Sequence, residues 1–444
     1  NYNTVVGDEA GTAITTGDNN VAVGYGAGDA IVSSSNNVAI GNLSLSADTL
    51  GGRSVAIGSS ALAAQNFTTA TNAYNIAVGF TAGAAVTTGT NNTLIGGLAG
   101  DSITTGTHNT AVGFDALTSN TTATGNSAFG QSSLKSNTTG AGLTALGGQA
   151  LQTNTTGSNN TAVGVLALYA NTTGAENTAV GEGALDANTT ASYNTAVGRS
   201  ALTLNTTGAQ NAGFGTYSLQ ANTTGANNTA VGYQALDGNT TASNNTAVGR
   251  DALAANTTGS ENTAVGYAAL DANTTGTNNI GMGYAALGAN TTGIRNVAIG
   301  SNNGALTTNT TGNDNVAVGA DALKANTTAA NNTAMGTSAL AANTTGAENV
   351  AVGYRALFTN TTAGSTAVGR FALGAQNFTS ATNAYNTAVG FNSGVAVTTG
   401  RENTLIGALA GDALTDGISN VCVGFMSGTH DVNHTTGARC TLIG

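Results

Sequence analysis

The order of apolar and polar positions repeats along the chain in units of nearly constant length. Each unit contains a frame such as Asn-Thr-Ala-Val-Gly, in which a glycine follows an aliphatic residue, as at Gly164, Gly181 and Gly198. The spacing of these three glycines, seventeen positions, is kept in 20 of the 25 intervals between the 26 such glycines. A unit this short cannot bury its own apolar side chains, so neighbouring units must stack on one another. The pattern therefore predicts a solenoid.

The positions within a unit can be numbered from its marker glycine, taken as zero. Asn stands at position −4 in 22 of the 26 units, a small residue, usually Ala, at −2, and an apolar residue at −1. Leu stands at +4 in eleven consecutive units from Leu117 to Leu287, and Asn-Thr-Thr follows it. Thr-Ala-Val alternates with period two between Asn and Gly corners, which favours a short strand over a helix. Each unit is thus predicted to be one coil of an all-β parallel β-solenoid with about 26 coils.

The Ala column at −2 and the apolar column at −1 lie on opposite strand faces, because successive side chains of a strand point to opposite sides. We expect one column to fill the coil and the other to pack against partner chains. Each coil offers few aliphatic side chains to offset the entropy lost when the whole repeat becomes ordered. In the alternative, the Ala column faces solvent. The composition of the coil therefore predicts an oligomer.

The frame Asn-Thr-Ala-Val-Gly and variants such as Asn37-Val-Ala-Ile-Gly41 resemble the head repeats of YadA-type trimeric autotransporter adhesins. Similar arrays occur in the long tail fibres of bacteriophages. The resemblance covers essentially the whole chain and implies a homotrimer of left-handed parallel β-rolls whose strands meet near a threefold axis. The adhesin repeat is usually shorter than the repeat of this chain, and the sequence contains no segment like the adhesin anchor or stalk. The repeat pattern runs through both ends of the sequence, so we expect an ordered stretch of a longer fibre.

The composition narrows the class of protein. The chain has 444 residues, 64 glycines, no proline, no tryptophan and 7% charged residues, which without the period would indicate disorder. A net charge of −11 with no basic cluster argues against nucleic acid and anionic membranes as partners. No apolar run is long enough to insert into a bilayer. One continuous solenoid domain over residues 1–444 is expected.

Two longer blocks, 54–113 and 365–424, match each other closely. In each block one coil has four extra residues, which lie within 63–75 and 374–386. Inserted residues leave a solenoid as loops. Aromatic rings beside amides suit sugars, so we hypothesise a glycan or receptor contact on these bulges; in the alternative, the aromatic rings fold back and plug the widened coil. The predicted contact residues are Gln65, Asn66, Phe67, Tyr74, Gln376, Asn377, Phe378 and Tyr385.

The last predicted coil contains His430, Asp431, His434 and Cys440, and Cys422 lies one coil earlier. A disulfide bond between Cys422 and Cys440 is expected for a fibre outside the cell. Pairing across chains and reduced thiols remain open. The spacing of these residues fits no strong metal-binding template, so neither a metal nor a cofactor is predicted.

Two further columns carry candidate chemistry. The Asn-Thr-Thr tripeptide meets the N-glycosylation pattern 15 times from Asn120 to Asn360. Residues stacked ~4.8 Å apart leave no room for a glycan on each, so a hydrogen-bonded ladder of Asn and Thr is predicted. Position +1 mixes Tyr and Phe with Arg and Glu, as at Tyr233 and Arg250. Such mixing is typical of a solvated rim and less so of a saccharide-binding stripe.

The predicted function is structural and adhesive. We expect an extracellular homotrimeric fibre, a phage tail-fibre shaft or a bacterial surface adhesin, that presents contacts to a host cell or surface. The sequence contains no recognisable nucleophile–base or carboxylate pair, so the chain is not expected to be an enzyme. The alternatives are an ice-binding solenoid, because Thr columns can order water, and a polysaccharide-acting solenoid.

Overall fold

The computed structural model describes residues 2–301, 304–378, 383–428 and 439–444. These residues form short strands joined by turns, and the described ranges contain no helix, hence no helical segment that could cross a bilayer. The architecture is a parallel β-solenoid of about 26 coils with the period seen in the sequence, which confirms the predicted fold class. The chain comprises two compact units, residues 1–224 and 225–444. A single domain over the whole chain stays a prediction.

In unit 1, residues 2–224 form thirteen three-residue strands and two additional two-residue strands. Its strands are β1 (Thr4–Val6), β2 (Val21–Val23), β3 (Val38–Ile40), β4 (Gly51–Gly52), β5 (Val55–Ile57), β6 (Thr71–Asn72), β7 (Ile76–Val78), β8 (Thr93–Ile95), β9 (Thr110–Val112), β10 (Ser127–Phe129), β11 (Thr144–Leu146), β12 (Thr161–Val163), β13 (Thr178–Val180), β14 (Thr195–Val197) and β15 (Ala212–Phe214).

The described residues of unit 2 form thirteen three-residue strands. They are β16 (Thr229–Val231), β17 (Thr246–Val248), β18 (Thr263–Val265), β19 (Ile280–Met282), β20 (Val297–Ile299), β21 (Val316–Val318), β22 (Thr333–Met335), β23 (Val350–Val352), β24 (Thr366–Val368), β25 (Thr387–Val389), β26 (Thr404–Ile406), β27 (Val421–Val423) and β28 (Thr441–Ile443).

Within each unit, every three-residue strand pairs in parallel with the equivalent strand of the next coil. Between β12 and β13, for example, Thr161 pairs with Thr178 and Ala162 with Ala179. The register is exact across the insertions as well, because β5 pairs with β7 and β24 with β25. In unit 1, β4 and β6 form a separate two-stranded sheet. Equivalent residues therefore form columns along each unit.

The Ala column at −2 lies inside the coil. Ala111, Ala162 and Ala196 have no exposed surface, and Leu at +4 is buried beside them. The space is narrow: a methyl group at Gly213, which takes position −2 in its coil, would lie 3.3 Å from Leu202 Cδ1. The alternative in which Ala faces solvent is wrong, because these side chains have no exposed surface. Only a small side chain fits between neighbouring leucines. The apolar column at −1 points outward.

In the two duplicated blocks, four coils carry Gly in place of Leu at +4 and show how the interior is filled. A methyl group at Gly100 would lie 2.7 Å from Leu94 Cδ2 and 2.8 Å from Ile103 Cδ1, and one at Gly83 would lie 2.6 Å from Leu94 Cδ1. A leucine at −2 and an aliphatic residue at +7 thus occupy the volume that Leu at +4 fills elsewhere. The second block repeats the exchange with Gly394, Val397, Leu405, Gly411 and Leu414.

This exchange predicts a coupling that can be measured. Ala162→Leu should lower the free energy of unfolding by about 1–3 kcal/mol, since a larger side chain is forced into a filled interior. Leu168→Gly in the same chain should reduce that cost, because it reproduces the Leu94–Gly100 pair. Denaturant unfolding of the wild type, both single variants and the double variant gives the coupling energy. Strictly additive effects would contradict the exchange.

Two columns of asparagine also lie inside the coil. At −4, Asn177 N donates to Asn160 Oδ1 (2.9 Å), and at +7, Asn171 Nδ2 donates to Asn154 Oδ1 (2.7 Å) and to Gly174 O (2.9 Å). The Oγ1 hydroxyls of the following threonines donate to the carbonyl of the equivalent residue one coil later, as from Thr172 (3.0 Å). The predicted ladder of Asn and Thr is confirmed.

Candidate functional site

The insertion at 63–75 divides into residues that continue the coil interior and residues that leave it. Gln65 occupies the buried +7 column, where its Nε2 donates to Asp48 Oδ2 (2.7 Å) and to Ser54 Oγ (2.9 Å). Phe67 is 5% exposed, and a methyl group at Gly51 would lie 2.7 Å from its ring. Gln65 and Phe67 therefore lie inside the coil and not on a bulge, and Phe67 plugs the widened coil.

Asn66 and Tyr74 lie on the outside of the same coil. Asn66 is exposed and accepts a hydrogen bond from Thr49 Oγ1 (3.0 Å). Tyr74 is 46% exposed, and its hydroxyl accepts a hydrogen bond from Arg53 Nη1 (2.8 Å). The guanidinium carbon of Arg53 is 5.5 Å from the Tyr74 ring centroid, within the range of a cation–π contact. Tyr74 and Asn66 are the predicted contact residues that a ligand can reach.

The second block repeats this division. Gln376 is buried, with its Nε2 donating to Asn360 Oδ1 (2.8 Å), and Phe378 is half-buried. Asn377 and Tyr385 are exposed. The interior networks differ, because Asn360 stands where unit 1 has Asp48 and the buried Thr362 Oγ1 also accepts a hydrogen bond from Gln376 Nε2 (3.3 Å). Burial raises the pKa of the Asp48 carboxyl above its ordinary value, although Gln65 and nearby backbone N–H groups donate to it.

A groove of about 400 Å³ opens beside the insertion in unit 1. We call it groove 1. Three successive coils line it, because the inserted residues pair as β6 with β4 and spread the corner. Its lining residues are Ser33, Ser34, Ser35, Asn36, Leu50, Gly52, Arg53, Ala70, Thr71 and Asn72. The side chains at its rim are mostly hydroxyls and amides, with Arg53 as the one cation in this lining.

Unit 2 has a groove at the equivalent corner, which we call groove 2. It measures about 190 Å³ and is lined by Thr345, Gly346, Ala347, Thr361, Thr362, Ala363 and Asn383. The backbone supports match: Ala73 N donates to Gly52 O (2.9 Å) in unit 1, and Ala384 N donates to Ala363 O (3.0 Å) in unit 2. Neither groove was predicted from the sequence. Gln65 could have been placed inside the coil by counting positions forward from the marker glycine.

The two grooves differ in charge. Gly364 follows Ala363, as Arg53 follows Gly52, so groove 2 lacks the cation. The Tyr385 ring occupies the space beside Gly364, since a methyl group there would lie 2.9 Å from Tyr385 Cδ1. The Tyr385 hydroxyl accepts a hydrogen bond from Asn383 Nδ2 (2.6 Å). The duplicated blocks thus present the same corner with and without an arginine.

Unit 2 also has a cluster of arginine and aromatic side chains on the +1, +2 and +5 columns, which we call the arginine–aromatic patch. The guanidinium carbon of Arg370 is 4.6 Å from the Phe371 ring centroid, and that of Arg355 is 4.9 Å from the Phe358 centroid. Tyr354 and Phe391 complete the patch. Elsewhere the +1 column forms an exposed rim, in which Tyr267 and Tyr284 stack with centroids 5.3 Å apart.

Cys422 and Cys440 are thiols in the structure. Cys422 is buried at position −2 of β27, and burial raises the pKa of its thiol. Cys440 is half-buried, and its N–H donates to Asn420 Oδ1 (3.1 Å). The disulfide bond stays a prediction. Within the described ranges, no three His, Cys, Asp or Glu side chains are grouped as metal ligands; His430, Asp431 and His434 lie outside those ranges.

The Asn residues of the Asn-Thr-Thr tripeptides have almost no exposed surface, as at Asn120, Asn171 and Asn360. A glycan cannot be attached to a side chain inside the folded coil. In most tripeptides the first Thr uses its hydroxyl within the ladder, and the second lies in one exposed column, as at Thr156 and Thr173, although Thr362 is buried. The ice-binding alternative stays a prediction with one Thr column available.

No protein-family model matches the chain, and no curated protein matches it significantly. The candidate site therefore consists of the two grooves and the outward apolar column, which are defined by geometry alone.

Proposed function

We propose that the chain is a segment of an extracellular homotrimeric fibre, a phage tail-fibre shaft or a bacterial surface adhesin, with a structural and adhesive role. The observation that carries the proposal is the outward apolar column at −1. Leu146 is 50% exposed, Met335 45% and Val248 37%, and an aliphatic, methionine or phenylalanine side chain stands at this position in every coil. In-register pairing aligns these side chains into one stripe within each unit.

A continuous apolar stripe favours burial against other protein. Monomeric soluble proteins rarely expose contiguous apolar surface beyond a few hundred Å², so a stripe of this kind suggests an interface. The resemblance to trimeric adhesin heads implies the occupant: two further copies of the chain, with strands meeting near a threefold axis. The grooves lie at a different corner of the coil, where they stay open to a host surface.

The test is the mass of the chain in solution. Light scattering should give three times the chain mass of 42.9 kDa. The double variant Val231→Lys, Val248→Lys should dissociate the trimer and leave the coils paired, because both side chains point outward. Charged side chains opposed across the axis repel one another and lose hydration.

The matched control places the same two charges elsewhere on the same coils. Thr241→Lys, Thr258→Lys alters the exposed Thr column and should leave the trimer intact. A wild-type chain that runs as a monomer, or a V231K/V248K chain that still forms a trimer, would overturn the proposed assembly.

A further inference from the structure

We propose that groove 1 binds a carboxylate-bearing saccharide, with Arg53 pairing with the carboxylate, and that groove 2, where Gly364 replaces Arg53, does not select for the acid. The inference rests on the proposed adhesive role and names the class of ligand. It needs neither the trimer nor any residue outside the described ranges.

The floor of groove 1 is close-packed backbone that leaves polar side chains at the rim. Gly51 pairs with Thr71 and Gly52 with Asn72, and a methyl group at Gly52 would lie 3.0 Å from Ser35 O. Ser33, Asn36 and Asn72 are exposed above this floor. Hydroxyls donate and accept, and amides present both donors and an acceptor, which matches the hydroxyl groups of a sugar ring. Such a rim suits a saccharide better than an apolar ligand.

The charge of groove 1 indicates an acid. The chain has 21 acidic and 10 basic side chains, so acidic partners are plentiful. The described ion pairs involve Lys135, Arg199, Arg250, Arg295 and Lys324. Arg53 is exposed and takes part in none of them. Its hydrogen bond and ring contact with Tyr74 hold the guanidinium at the groove, and a guanidinium fork binds a planar carboxylate through two parallel hydrogen bonds.

The arrangement of Tyr74 supports the same ligand. Its ring is half-exposed next to Arg53, so it offers an apolar face to the C–H groups of a sugar while its hydroxyl holds the arginine. Tyr385 stands at the equivalent place in unit 2 without a cation beside it. Both copies of this corner therefore have polar side chains and an aromatic ring that suit a saccharide. The copy in unit 1 also has an arginine that can bind the acid.

The experiment compares matched ligands on the full chain by isothermal titration calorimetry. The acidic probes are trigalacturonic acid and sialyllactose; their neutral counterparts are the methyl ester of trigalacturonic acid and lactose. The wild type should bind at least one acidic probe at one site per chain, at least tenfold more tightly than its neutral counterpart. No binding of either acidic probe, or equal binding of acid and neutral counterpart, would overturn the proposal.

The variants exchange the two corners. Arg53→Gly copies groove 2 and, because position 53 has φ +63°, introduces no backbone strain. It should weaken acid binding at least tenfold and leave binding of the neutral counterpart within twofold. Gly364→Arg should raise the stoichiometry toward two acids per chain once Tyr385 moves aside. Unchanged acid affinity in Arg53→Gly would overturn the proposal, whatever the result with Gly364→Arg.

The control tests the two arginines of the arginine–aromatic patch, of which Arg370 is exposed and Arg355 is half-buried. Arg355→Ser, Arg370→Ser removes both cations of the arginine–aromatic patch and should change acid affinity less than twofold. Loss of binding in this variant and not in Arg53→Gly would overturn groove 1 as the site. The mass of each sample separates this inference from the proposed function: a monomer that binds the acid contradicts the fibre, and a trimer that does not bind contradicts the groove.

Discussion

Replacing Gly164 by Ala is expected to lower the free energy of unfolding by at least about 3 kcal/mol. Gly164 has φ +134°, a region that is essentially restricted to glycine, and an added methyl group would lie 2.6 Å from the carbonyl carbon and oxygen of Gly181. Both atoms belong to the backbone of the next coil, so the clash is relieved only by separating β12 from β13. Thermal unfolding and hydrogen exchange of these strands measure the effect.

The chain provides a control for this substitution one coil earlier. Gly148 has no described heavy atom within 4 Å of an added methyl group and is not among the residues with positive φ. Gly148→Ala should therefore change stability by no more than about 0.5 kcal/mol. Equal effects at the two glycines would show that the marker glycine is not required by the close approach of neighbouring coils.

Replacing Asn171 by Asp is expected to lower the free energy of unfolding by about 3–5 kcal/mol at pH 7. Asn171 is fully buried, and its Nδ2 donates to Asn154 Oδ1 and Gly174 O. A carboxylate would face both acceptors with an oxygen, and burial would raise its pKa in the folded chain. Stability should be retained below about pH 3.9, the ordinary pKa of Asp, and lost as the pH rises through the folded-state pKa.

Asp48 supplies the natural comparison at the same coil position. Three groups donate to it: Gln65 Nε2 (2.7 Å), Gly51 N (2.9 Å) and Phe67 N (3.3 Å). Its pKa is nevertheless raised by burial, so the wild type should lose some stability as the pH rises above the ordinary pKa of Asp. Asp48→Asn, which copies Asn360, should remove that loss. Denaturant unfolding at pH 3.5 and pH 7 tests both variants, and an Asn171→Asp chain without pH dependence would contradict the buried ladder.

Ligand binding by the predicted contact residues stays a prediction, but the structure places three of them, Gln65, Phe67 and Gln376, in the buried interior. The insertion at 63–75 could be located, because it interrupts the period. Gln65 and Phe67 could not be assigned to the interior by composition, since amides and aromatic rings suit both a ligand and a buried network. Gln65 lies in the interior because its amide donates a hydrogen bond to a carboxylate oxygen of Asp48. Groove 1 was not predicted because its walls come from three coils.

The interior shows a similar limit. The Leu column at +4 and the Ala column at −2 could be identified from the period. The alternation of side chains along a strand also placed the −2 and −1 columns on opposite faces. The sequence could not show which of the −2 and −1 columns faces inward, because both carry apolar residues. Leu at +4 adopts a left-handed backbone, as at Leu151 with φ +51°, a conformation that residue type alone disfavours. The turn geometry of the stacked coil imposes it.

The sequence by itself determined the coil, its length, the strand within it and the columns of Asn, Thr, Ala and Leu, because a repeated spacing places chemically equal residues at equal heights. Only the tertiary structure decided which columns are inside, how Leu94 and Gly100 exchange volume, and where the grooves open. These features depend on distances between coils, and such distances follow from side-chain volumes and backbone closure that no single repeat contains.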